Sequence, residues 1–80
     1  MDAETQRTNG LQVLDFAMRR VAKSKSSVLL AIDKVQAHTV ITTLEVVGVI
    51  TEAESREFER KLDRKVLEVE GSFDATALKS

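Results

Sequence analysis

The chain has 80 residues, 42% of them hydrophobic, and twelve basic against thirteen acidic side chains give a net charge of −1. That length fits one domain with one core. With no cysteine and a single histidine, thiol chemistry, disulfide staples and a Cys/His metal site are excluded, and no cofactor is expected. The balanced charge lacks the basic excess on which phosphate binding rests, which argues against nucleic acid and anionic membranes as partners.

The opening MDAETQRTNG is polar and lacks the basic-then-apolar order of a signal peptide, so a cytoplasmic location is expected. Residues 1–8 read as a flexible N-terminus, 9–71 as the folded domain and 72–80 as a flexible tail from which Phe73 and Leu78 could dock. There is no proline, so no segment is barred from helix. A first helix is predicted from about Asn9 to Lys23, with Asn9 and Gln12 as a capping pair. Leu11, Val13, Leu14, Ala17, Met18, Val21 and Ala22 recur at helical spacing along it. It ends in the polar connector Ser24 to Ser27, where Ser26 or Ser27 can cap the next helix.

The second helix, about Val28 to Val47, is apolar round most of its circumference; only Lys34, His38, Thr42 and Glu45 form a polar stripe. A helix of that kind is a buried one. The charges that interrupt it count against a membrane span. The stretch 39–51 is rich in β-branched residues and a strand is the alternative there, but apolar and polar residues do not alternate, and helix is the reading adopted. Gly48 sits where a helix ends in a left-handed residue. Thr51 and Glu54 then form a capping box that starts a third helix, predicted to run to about Glu70 and close at Gly71. Its seam is narrow, Ser55, Phe58, Leu62, Val66 and Val69, and the rest is charged, with Glu52–Arg56 and Glu57–Lys61 pairs. The expected fold is therefore all-α, a three-helix antiparallel bundle. Because the central helix has more apolar surface than two neighbours can cover, the bundle is expected to be completed by homodimerisation through that helix, at Leu29, Asp33, Val40, Leu44 and Val47.

Three positions invite a functional reading. His38 is the one side chain suited to proton transfer near neutrality, yet no nucleophile spacing or phosphate loop accompanies it. No catalytic residue is assigned and the chain is not expected to be an enzyme. Phe16 points away from the apolar arc, among Gln12, Arg19, Arg20 and Lys23. An aromatic among arginines is the composition of interface hot spots, so Phe16, Arg19, Arg20 and Lys23 are the expected partner-binding residues; core placement of Phe16 is the alternative. Asp33 lies on an apolar arc and is expected to reach solvent near the helix start; burial would require a partner such as Arg19 or Arg20.

The run GVITEAESREFERKL, residues 48–62, resembles the glycine, apolar pair, Thr-Glu, Phe and Leu pattern of short bacterial helical modules and of small bacteriophage and prophage proteins. That resemblance implies a bacterial or phage origin, and a chain like the phage accessory proteins that bind and inhibit a host protein in the host cytoplasm. The expected function is thus a non-enzymatic module, an inhibitor or adaptor, that binds another protein as a homodimer. The alternatives are a dimeric DNA-binding regulator reading DNA with the third helix, whose glutamates repel phosphate, and a structural assembly protein of a phage particle.

Overall fold

The computed structural model describes residues 2–79, with side chains through Phe73. It is an all-α three-helix bundle: α1 (Ala3–Ala22), α2 (Ser27–Val46) and α3 (Glu52–Lys79), each packed against the other two. The β-branched stretch is helical through Val46, and no strand occurs among the described residues.

Two of the expected boundaries move outward. Asp2, not Asn9, caps α1: its carboxylate accepts from the Thr5 backbone N–H at 2.7 Å. Polar side chains do not prevent helix, and a good cap satisfies the open donors of the first turn. At the other end α3 does not stop at Gly71 but runs through it. A single glycine inside a helix costs only about 1 kcal/mol relative to Ala, and Phe73, one turn further at most, packs against the core. The Leu78 side chain lies outside the described residues. At about 1.5 Å per residue, α3 is roughly 12 Å longer than its neighbours, and the molecule is 52 Å long but only 20 × 15 Å across.

The inner boundaries follow the sequence signals. Ser26 accepts from the Leu29 N–H. Gly48 adopts φ 80°, the left-handed conformation open to glycine without strain. Around it the Gly48 N–H donates to the Glu45 carbonyl at 3.0 Å and the Val49 N–H to the Leu44 carbonyl at 2.8 Å, the paired bonds of a Schellman stop. The capping box closes as expected, with Glu54 N–H to Thr51 Oγ1 at 3.1 Å and Thr51 N–H to Glu54 Oε1 at 3.0 Å.

The core is formed by Leu14, Ala17 and Val21 of α1, Leu30, Ala37, Ile41 and Leu44 of α2, Ile50 of the turn, and Leu62, Val66 and Val69 of α3. Every residue of the α3 seam read from the sequence faces it, Ser55 included, with Phe58 partly buried at its edge. Gly10 permits a close approach of α1 to the end of α2: a Cβ there would meet Leu44 Cδ2 and Val49 Cγ1 at 2.9 Å each. Beside it Arg7 clasps the α2–α3 turn, donating to the Val49 carbonyl at 3.0 Å and to both carboxylate oxygens of Glu54 at 3.2 and 2.6 Å. Residues 3–8 are therefore part of the helical bundle, and Arg7 ties them to its turn.

Candidate protein-binding surface

The two faces of α2 explain where surface remains. Leu30, Asp33, Ala37, Ile41 and Leu44 turn inward between α1 and α3. Val28, Leu29, Ile32, Val35, Val46 and Val47 remain exposed. Of the charged residues of α2 apart from buried Asp33, Lys34 lies with His38 against α3, and Glu45, about three turns from Lys34, shares that side of the helix. From there across the outer crest to the α1 side, α2 presents no charged group. Intrachain packing thus leaves a broad apolar face uncovered, because two neighbours cover only the inner half of a helix.

On the α1 side this face continues into a groove of about 410 Å³ lined by Val13, Phe16, Ala17 and Arg20 of α1 and Val35, Gln36, Thr39 and Val40 of α2. Phe16 is 64% exposed, so it is not core. Of the residues expected beside it, Arg19 pairs with Asp15 one turn back at 2.9 Å and stays on the outer edge. Arg20 leans toward α2, and Lys23 is the residue that ends α1. The four residues thus share one edge of α1, with Phe16 over the groove.

Asp33 corrects the expectation of a solvated carboxylate. It is only 9% exposed; Ser24 Oγ donates to Oδ2 at 2.7 Å and Arg20 Nε lies 3.8 Å from Oδ1. The polar connector turns back over the start of α2 and brings Ser24 within reach, so the carboxylate is satisfied without leaving the interior. Asp33 and Leu44, both expected at a subunit contact, are instead enclosed within the single chain. Of that set Val40 is half-buried at the groove, while Leu29 and Val47 are exposed.

Between α2 and α3, His38 Nδ1 stands 2.7 Å from Glu59 Oε1. The adjoining groove of about 480 Å³ is lined by Ala31, Lys34, Val35, His38, Glu59, Leu62 and Asp63. A histidine oriented by a carboxylate can move a proton, but the lining offers no hydroxyl or thiol for it to activate. Among the described residues no cluster of three or more His, Cys, Asp or Glu is arranged to hold a metal, and no helix is long and apolar enough to cross a membrane. The basic side chains of α3 are largely engaged on their own helix: Arg56 with Glu52, Arg60 with Glu57 at 2.9 Å, Lys65 with Glu68 at 2.9 Å, and Lys61 over the Phe58 ring at 5.5 Å. The Arg7 guanidinium, with the Thr51 backbone N–H, holds the Glu54 carboxyl down at about 2.

The clasp of Arg7 had no signature in the residues themselves, since it joins segments distant in sequence, whereas the burial of Asp33 had one in its place on an apolar arc within reach of Arg20. No known protein family, curated protein or solved structure matches this chain.

Proposed function

We propose that this chain is a homodimeric, non-enzymatic protein-binding module that acts by occupying the surface of another protein, as an inhibitor or adaptor of the kind its sequence resembles among phage accessory proteins. The observation that carries this reading is the exposed, charge-free face of α2 continuous with the Phe16 groove. Monomeric proteins seldom leave large contiguous apolar patches in water, and such patches mark interaction sites. The α2 crest serves as the subunit contact; the α1 edge of Phe16, Arg19, Arg20 and Lys23 is offered to the second protein. An exposed aromatic beside arginines matches the anchor composition of hot spots. The mutual pairing of charges on α3 supports this reading over a DNA-binding regulator, since a phosphate-reading helix needs its cations available.

The test is photo-crosslinking. With p-benzoylphenylalanine at position 16, irradiation in bacterial cells should yield a heterologous adduct of defined mass, and reversing charge with Arg19→Glu and Lys23→Glu should remove it. Adducts with no second protein would overturn the proposal, and salt-sensitive affinity of the pure protein for duplex DNA would favour the regulator.

A further inference from the structure

The outer crest of α2 has a pattern that hydropathy alone does not reveal. Val28, Ile32, Val35, Thr39, Thr42 and Val46 are all exposed, and their spacing is four, three, four, three, four. That is the a/d spacing of a coiled-coil seam, held over about 27 Å of helix and directed away from the core. All six side chains are β-branched. On a solvated helix face such residues lower helix propensity and gain nothing in return; against a second helix, their stiff side chains lose little freedom on packing. The Thr39 hydroxyl already donates to the Val35 carbonyl at 2.9 Å, so its methyl can be buried with no polar group left unpaired.

We infer that this seam is the contact with a second copy of the chain, and that the two α2 helices cross it antiparallel about a two-fold axis near residue 37. The inference rests on the dimeric reading above and supplies its geometry. An isologous contact needs a self-complementary patch, and this seam reads the same from either end: Val28 meets the partner's Val46, Ile32 the partner's Thr42, and Val35 the partner's Thr39. No charge lies on it to be repelled across the axis.

The flanks determine the direction. One shoulder of α2, on the α1 side, is itself uncharged (Leu29, Gln36 and Thr43), with Phe16 and Arg20 of α1 beyond it across the groove. The other, on the α3 side, holds Lys34, His38 and Glu45, with Glu59 and Asp63 of α3 beside them. A parallel pair would set the uncharged shoulder of each copy against the charged shoulder of the other. An antiparallel pair matches uncharged with uncharged and leaves the charged shoulders together in solvent. The same arrangement places both Phe16 edges on one side of the assembly, so that the partner protein meets a single trough with two aromatic anchors.

The chain has no cysteine, so single-cysteine variants report the geometry directly, and Val28 and Val46 are exposed enough to be replaced without disturbing the fold. Sedimentation equilibrium of the unmodified protein should give twice the chain mass, and Val35→Glu should weaken association by at least roughly a hundredfold, since a carboxylate buried against the partner's Thr39 meets no countercharge. On oxidation, a mixture of Val28→Cys and Val46→Cys proteins should form the mixed disulfide, and Val28→Cys alone should form none. A dimer in which Val28→Cys links to itself would overturn the antiparallel seam while leaving the dimeric module intact. A dimer unaffected by Val35→Glu would move the contact off α2. A monomeric mass at tens of micromolar would overturn the dimeric reading itself.

Discussion

Along α2, Leu30, Ala37, Ile41 and Leu44 turn one way, and Val28, Ile32, Val35 and Val46 the other. The first set is at most 8% exposed and the second is 49–79% exposed, although both are aliphatic and lie on one continuous helix. The difference is in the neighbours: α1 and α3 close over one side, and nothing among the described residues closes over the other. The side chains differ too. The inward face mixes large and small, with Ala37 allowing close approach beside Leu and Ile, while the outward crest is uniformly β-branched. Equal hydropathy therefore stands for two placements, one filling the core between three helices and one left as a regular row on the surface.

The sharpest way to break the comparison is to make equivalent cuts on both faces. Ile41→Ala should cost about 2–5 kcal/mol, because a fully buried side chain leaves a cavity that its neighbours only partly refill. In a domain of this size that is a fall in Tm of at least ~10 °C, read by thermal circular dichroism. Gly10→Leu tests the close approach that sets the depth of the inward face. It should cost about 1–3 kcal/mol by overpacking against Leu44 and Val49, and a neutral result in denaturant titration would show that α1 can slide outward freely. Ser24→Ala should cost about 1–3 kcal/mol by leaving the enclosed Asp33 carboxylate without its short hydrogen bond; an unchanged unfolding midpoint would mean that water already serves that carboxylate.

Acid probes the clasp at the far end. The Glu54 carboxyl is lowered from 4.5 to about 2 by the Arg7 guanidinium first and the Thr51 N–H second. Its contribution is complete above about 4.5, where the unfolded carboxyl is also ionised, and is lost as pH falls towards 2. Stability measured across that window should decline less steeply in Glu54→Gln than in the parent. Smallest of all is the outward cut. Val35→Ser should change the stability of the single chain by less than about 0.5 kcal/mol, measured at dilution where chains are apart, in contrast to Ile41→Ala. A loss comparable to that of Ile41→Ala would abolish the distinction between the two faces.

Much of this fold is legible in the residues because its signals are local. The Gly48 stop, the Thr51–Glu54 box, the Ser26 cap and the α3 seam each involve positions within a turn or two of one another, where backbone geometry leaves few options. The boundaries of α1 and α3 were less legible. Asp2 caps as well as Asn9 could, and Gly71 is tolerated inside a helix when the following turn still has the core to pack on. Of the candidate surface, Phe16 was visible as an aromatic off the apolar arc. The crest of α2 was visible only as an excess, since a helix that is apolar all round does not declare which side its neighbours take.

By itself, then, the sequence determined three helices, their turns and the surplus of apolar surface, since these follow from caps, periodicity and composition. Tertiary structure alone decided that Asp33 and Leu44 are enclosed, that Arg7 reaches Val49 and Glu54 across more than forty residues of chain, and that the uncovered side of α2 is the crest from Val28 to Val46. Those outcomes depend on where α1 and α3 stand around α2, a matter of packing among distant segments that no local pattern encodes.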